Sequence, residues 1–196
     1  KRSNIFLDRL EKEKEIIIKD KNGQPFKIFS AVCGKYYTLY LVKSEKNMEE
    51  FQLVFASDSN PYIFVNIPGI NPISLFGGEN DAAIIDAKGS IIVINKNILT
   101  NNDIVIEPSK LPSGNIPVDV AFYNHDIFVV DSSGRVFRSN ITQEGVICKF
   151  YKVIELSGVQ ILSITSKNDH CIAVANDGRV FGIGSNNNCK LGFPSC

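Results

Sequence analysis

The stretch Cys171-Ile-Ala-Val-Ala-Asn-Asp-Gly-Arg-Val-Phe-Gly-Ile-Gly-Ser-Asn, residues 171–186, decides the fold. It holds one apolar run, an Asn-Asp-Gly turn, a second apolar run and a glycine-rich exit. Two short β-forming runs joined by Asp-Gly are written as an antiparallel hairpin. Two upstream segments repeat the pattern: Ala82-Ala-Ile-Ile-Asp-Ala-Lys-Gly-Ser-Ile-Ile-Val and Ile127-Phe-Val-Val-Asp-Ser-Ser-Gly-Arg-Val-Phe. Their turn glycines, Gly89, Gly134 and Gly178, stand 45 and 44 residues apart. A tight hairpin asks for positive φ at such a position, which a side chain with a Cβ adopts at a cost.

The period extends beyond the hairpins. An apolar run precedes each, and a fourth copy leads from Ile28 through Cys33-Gly34 into Tyr37-Thr-Leu-Tyr-Leu-Val42, so that Ile28, Ile73, Val118 and Ile161 are spaced 45, 45 and 43 residues apart. In this first copy a polar loop, Lys43 to Glu50, replaces the tight turn before Phe51 to Ala56. A further short run opens every unit, at 16–18, 62–65, 104–106 and 150–154, and ends in turn formers such as Asn22-Gly23-Gln24-Pro25 and Ser157-Gly158. The chain therefore divides into four units of four short strands, about 16–60, 61–103, 104–149 and 150–196. A four-stranded sheet of this size cannot bury both of its faces alone, whereas radial stacking buries them. The expected fold is all-β, a propeller arc of about four blades. The only stretch rich in helix formers, Asp8 to Glu15, lacks an apolar face and reads as a solvated loop or single helical turn.

Residues 161–192 carry a family resemblance. An apolar strand, His170-Cys-Ile-Ala, Asp177-Gly178, Val180-Phe181, Gly184 and Asn186, and Leu191-Gly192 follow one another in the order of a regulator of chromosome condensation repeat, and Cys33-Gly34-Lys-Tyr-Tyr-Thr-Leu matches the first half of another. The chain resembles a divergent member of that family or a fragment of one. It has no Trp, Ile183 stands at an aromatic position, Cys189-Lys190 replaces Gly-Gln, and the family's histidine position holds Tyr37, Asp81, Asp126 and His170 in turn. The resemblance implies a seven-bladed ring, of which four units are part. The chain begins at Lys1, and both ends read as falling inside a repeat, so the expectation is an arc completed by other sequence or another chain. An open arc exposes edges and apolar blade faces that favour association.

Composition narrows the function. With 21 basic and 21 acidic residues the chain shows no overall footprint for nucleic acid or an anionic membrane, and no apolar run approaches a membrane-spanning helix. The expected setting is cytoplasmic or nuclear. The five cysteines form no C-x-x-C pair and the two histidines, His125 and His170, have no ligand spacing around them, so no catalytic residue, cofactor or metal site is expected. Gly182-x-Gly184 lacks the third glycine and the helix of a dinucleotide fingerprint; Gly184 reads as a structural exit, with Gly89, Gly134 and Gly178 as structural turns. Asp86, Asp131 and Asp177 read as hairpin-turn acids, and Asn140-Ile-Thr142 as a chance glycosylation sequon. Variation concentrates in two loops, which supply the candidate partner-binding residues Lys43, Glu45, Lys46, Glu49, Asn97, Asn101 and Asp103. The expected function is a non-enzymatic protein-binding module or scaffold. The resemblance implies an alternative, guanine-nucleotide exchange on a Ran-type small GTPase, and a third reading is the targeting or structural propeller of a larger enzyme or cytoskeletal assembly.

Overall fold

A computed structural model describes residues 16–20, 22–44, 51–57, 62–65, 67, 69–95, 107–167 and 169–194. The opening hairpin is the centre of the last of four sheets. Sheet one is β1 (Phe26–Cys33), β2 (Thr38–Ser44), β3 (Gln52–Ala56) and β4 (Ile63–Val65). Sheet two is β5 (Pro72–Gly77), β6 (Asp81–Asp86) and β7 (Ile91–Asn95), and sheet three is β8 (Pro117–Tyr123), β9 (Asp126–Asp131), β10 (Val136–Asn140) and β11 (Tyr151–Lys152). Sheet four is β12 (Ile161–Lys167), β13 (His170–Ala175) and β14 (Val180–Gly184). Strands adjacent in sequence pair antiparallel within each sheet, as short turns require. Among the described residues the helical content is three short 3-10 turns, and no helix is long and apolar enough to cross a membrane. Asp8 to Glu15 lies outside the described residues.

The first strand of each sheet is the inner one. β1 lies against β5, β5 against β8 and β8 against β12, so the sheets fan out from a shared axis as propeller blades. Each inner strand carries a register shift at the same place, at Ile28/Ser30, Pro72/Ser74, Pro117/Asp119 and Ile161/Ser163. A bulge of this kind raises local twist, which suits strands gathered round an axis.

Packing fills the three spaces between blades. Leu39, Leu41 and Phe55 meet Ala82, Ile84 and Ile94 between sheets one and two. Ile85 and Val93 meet Val120, Ile127 and Phe137 between two and three, and Phe128, Val130 and Val136 meet Ile164, Cys171 and Ala173 between three and four. β9 is buried at all six positions because it has a blade on either side. β13 alternates instead: Cys171, Ala173 and Ala175 are buried, while Val174 is exposed opposite Val180.

Blades and sequence units are cut at different points. The runs at 62–65 and 150–154 open sequence units, yet β4 and β11 hydrogen-bond to β3 and β10 as the outermost strands of the preceding sheets. The chain finishes one blade at its rim and then returns to the axis. Gly23, Gly69, Gly114 and Gly158 fall in these returns, all with positive φ, and form a second glycine series of nearly constant spacing.

The turn acids do not all occupy one place. Asp86 and Asp131 are buried, and each accepts from the backbone N–H groups two and four residues on, at 2.7–2.9 Å. Asp20 does the same at 2.8 Å to Asn22 and Gln24. In sheet four that position is Ala175; Asp177 lies two residues later, exposed, and takes Arg179 N–H at 3.1 Å. The aspartate that caps a turn sits three residues before the glycine, and Asp177 sits one before it.

The turn glycines also differ in surroundings. A Cβ on Gly178 (φ 86°) would meet nothing within 4 Å and one on Gly89 would meet only Pro117 Cδ at 3.6 Å, whereas one on Gly134 (φ 76°) would lie 2.9 Å from Gln160 Cα and Ile161 N. The Gly134 turn is wedged against the start of β12. Gly178→Ala is expected to cost only the left-handed backbone penalty of about 1 kcal/mol. Gly134→Ala should cost about 3 kcal/mol or more, because backbone of the next blade must shift. Urea unfolding of the two variants measures the difference, and equal losses would contradict the wedge.

Candidate functional site

The two ends of the blades differ. At one end lie the second-to-third strand turns with Gly89, Gly134 and Gly178. At the other, the first-to-second strand turns converge: Cys33, Gly34 and Lys35 of blade one, Gly77 to Asp81 of blade two, Asn124 and His125 of blade three, and Ser166, Lys167 and Asp169 of blade four line one cavity of about 1100 Å³. A second cavity of about 550 Å³ adjoins it, sharing Glu79, Asn80, Asp81, Asn124 and His125, and reaches outward over Leu39, Phe55, Ile94 and Ile141.

One backbone position recurs four times at this end. Tyr37, Asp81, Asp126 and His170 each stand where the second strand starts, by register with Thr38↔Cys33, Ala82↔Gly77, Asp126↔Tyr123 and His170↔Lys167. Tyr37 reaches into the next blade, its hydroxyl donating to Asp81 O at 2.7 Å and to Gly78 O at 3.1 Å. Burial holds its phenol well above the ordinary value of 10. Asp126 is buried, paired with Arg138 at 2.5 Å and accepting from Asn140 Nδ2, so the amide of the sequon is already engaged. His170 is half-buried; its Nδ1 has no hydrogen-bond partner and lies 3.5 Å from Asp169 Oδ1. His125 is exposed.

Asp81 is the exception. Its backbone carbonyl accepts from Tyr37 and Gly78 N–H, yet no hydrogen bond or ion pair within the described fold reaches its half-buried carboxyl. Burial pushes that carboxyl above its ordinary 3.8, with the charge of His125 opposing. Glu79 beside it pairs with Lys35 at 3.5 Å, and Asp169 is held below the ordinary range by Lys190, whose ammonium donates to both its oxygens at 2.7 and 2.8 Å. Among the described residues no three His, Cys, Asp or Glu side chains are grouped to hold a metal. Cys171 is buried, and desolvation pushes its thiol up to about 12; Cys33, Cys148 and Cys189 are exposed.

β2 runs away from the cavity end and β7 toward it, so Ser44 and Asn95 stand at opposite ends of the blades. Lys43 is described, with its ammonium 4.0 Å from the centre of the Phe51 ring. Glu45, Lys46, Glu49, Asn97, Asn101 and Asp103 lie outside the described residues. Gly89, Gly134 and Gly178 sit in the turns at the far end. Gly184 ends β14 against His170, where a Cβ would lie 2.5 Å from Asp169 O. Asn186 organises the segment beyond it, accepting from Leu191 N–H at 3.0 Å and donating to Phe193 O at 2.9 Å, while Leu191 packs on Gly182. Sequence reasoning passed over Tyr37 and Asp81 as site residues; their one signal was a repeat position that holds Tyr, Asp, Asp and His in turn.

Four antiparallel sheets round an axis, joined rim to hub, are blades of a β-propeller of the regulator-of-chromosome-condensation type. The profile described as Regulator of chromosome condensation (RCC1) repeat matches residues 161–189, which covers β12 to β14 and the Asn186 turn. Human WBSCR16 has a similar structure, with TM-score 0.60 at 15% identity over 85% of this chain and 49% of that one. Yeast RCC1 (Prp20), solved bound to Kap60, gives TM-score 0.63 at 12% identity over 85% of this chain and 46% of that one. Saccharomyces cerevisiae Prp20p, studied for its binding to Gsp1p and histones, gives 0.63 at 12% identity, over 85% of this chain and 47% of that one. The chain thus spans about half the length of these three solved structures. No curated protein matches it by sequence.

Two outcomes follow from this geometry. Tyr37→Phe removes a hydroxyl that ties two blades together and is expected to cost about 1 kcal/mol in urea unfolding; an unchanged midpoint would mean the bonds contribute nothing net. The raised Asp81 carboxyl has the opposite sign. Its protonated form is the one the fold tolerates, so its contribution is favourable below 3.8 and is lost as pH rises through its higher folded value. Asp81→Asn should therefore match the parent protein near pH 3.5 and exceed it in thermal stability at pH 7; a variant less stable at pH 7 would reveal a hidden partner for the carboxylate.

Proposed function

We propose that the chain is a non-enzymatic protein-binding module that docks its partner on the end where the first-to-second strand turns converge. One observation carries this reading: two adjoining cavities open at that end, walled by charged, amide and aromatic side chains from all four blades, with Tyr36 67% exposed at the rim. Such a surface offers an aromatic anchor beside polar groups held at the ends of rigid strands, a composition that protein interfaces favour. At the opposite end the Asp86 and Asp131 carboxylates are spent on backbone N–H groups of their own turns. Yeast Prp20, similar in fold, was solved with a bound protein and studied for binding to others, which supports a protein as the class of partner.

A photo-crosslinking residue placed at Tyr36 or Asn124 is expected to trap a discrete partner from lysate. The same residue at Lys88 or Ser133, on the far end, should not. Equal trapping from both ends, or none from the first, would overturn the assignment. The exchange-factor alternative is favoured by the Gsp1p binding of Prp20p. It is tested by release of labelled GDP from a Ran-type GTPase at micromolar protein, and acceleration there would replace the scaffold reading.

A further inference from the structure

We infer that the smaller cavity, floored by Leu39, Phe55, Ile94 and Ile141 and walled by the carboxylates of Asp81 and Glu79, is a subsite for a lysine or arginine side chain of the protein partner. The inference rests on the docking reading above and adds the chemistry recognised there. The volume, about 550 Å³, lies within the range of roughly 300–1,000 Å³ common to ligand pockets. Its floor is hydrocarbon, which suits the methylene stem of a long basic side chain, since such stems lie on apolar surface while the charged head stays near polar groups.

The charge at the wall selects the head. Among the described residues two carboxylates and His125 line this cavity and no lysine or arginine does, although the adjoining larger cavity has Lys35, Lys167 and Lys190. Two of those three lysines are already paired, Lys35 with Glu79 and Lys190 with Asp169. Asp81 is the group with most to gain. No hydrogen bond or ion pair of the described fold reaches its carboxyl, and burial, opposed in part by the charge of His125, makes its ionised form costly until a cation arrives. The ring of Tyr37, stacked on Phe55 at 6.2 Å between centroids, supplies an aromatic wall of the kind that also attracts a cation. Two carboxylates alone are too few ligands for a tight divalent-metal site, and the apolar floor has no use for one.

The test is an amide NMR titration of the whole protein with the blocked tripeptides acetyl-Gly-Lys-Gly-amide and acetyl-Gly-Arg-Gly-amide. Saturable shifts are expected at Asn80, Asp81, Ile94 and His125. Acetyl-Gly-norleucine-Gly-amide, of similar length and no charge, should give none. Asp81→Asn is expected to weaken the lysine peptide at least ten-fold, and Glu79→Gln, at the more exposed carboxylate, by a smaller factor; melting curves of both variants report that they fold. Equal binding of the norleucine peptide, or undiminished lysine-peptide binding by folded Asp81→Asn, would overturn the inference. Butylammonium binding as tightly as the peptides would assign the site to a free amine and overturn the partner side chain. Tyr36 crosslinks without any peptide shifts would defeat this inference alone, whereas peptide shifts without crosslinks would defeat the docking reading.

Discussion

A sheet of three or four short strands has two apolar faces, and the whole arrangement follows from having to cover both. β9 shows the constraint met: Asp126 to Asp131 is buried throughout, because blade two covers one face and blade four the other. β13 shows it half met. Cys171, Ala173 and Ala175 face blade three, and on the other side Leu162, Val174 and Val180 are 63%, 38% and 62% exposed. At the first blade Tyr40, Val42 and Val54 are instead covered by Ile18. The faces that water reaches are where burial of apolar area would still stabilise the arc.

Apolar packing sets distances between blades but leaves their angular register free, and directional bonds near the axis fix it. Asp119 of β8 accepts from Ile164 N–H of β12 at 2.8 Å, and Ser166 Oγ of β12 accepts from Phe122 N–H of β8 at 2.9 Å. Between blades one and two the Tyr37 hydroxyl has the same office. All three are links that a sheet cannot make with its own strands. The Tyr37 and Ser166 bonds lie at the cavity end and both residues line a cavity, so part of its wall is held by bonds that align the blades, and a binding surface there inherits the rigidity of the scaffold.

The period was legible because turn chemistry is strict. Gly89, Gly134 and Gly178 each need positive φ, so their spacing survives when the flanking residues drift. Blade limits were harder to read, since the pairing partner of a short edge run such as Ile63–Val65 depends on which sheet it meets in space. Asp177 was grouped with Asp86 and Asp131 on residue type, although only the position three before the glycine places a carboxylate over the turn's N–H groups. Asp81 was invisible as a site residue because nothing in sequence separates an aspartate whose carboxyl is spent from one whose carboxyl is not; that difference lies in Arg138 and Asn140, which reach Asp126 from β10.

A repeat protein makes function by breaking its own rule at a repeated position. The start of the second strand is placed identically in four blades, yet Tyr37 bridges blades, Asp126 is neutralised by an arginine, His170 is packed beside Asp169, and Asp81 faces open space. Tyr37 and Asp126 meet partners that offset their burial, and His170 leaves Nδ1 without a hydrogen-bond partner beside Asp169. Asp81 bears a desolvation cost that no hydrogen bond or ion pair within the described fold relieves, and an exposed polar residue at that position would avoid it. Retaining a carboxylate there makes physical sense when the cation that completes it comes from another molecule.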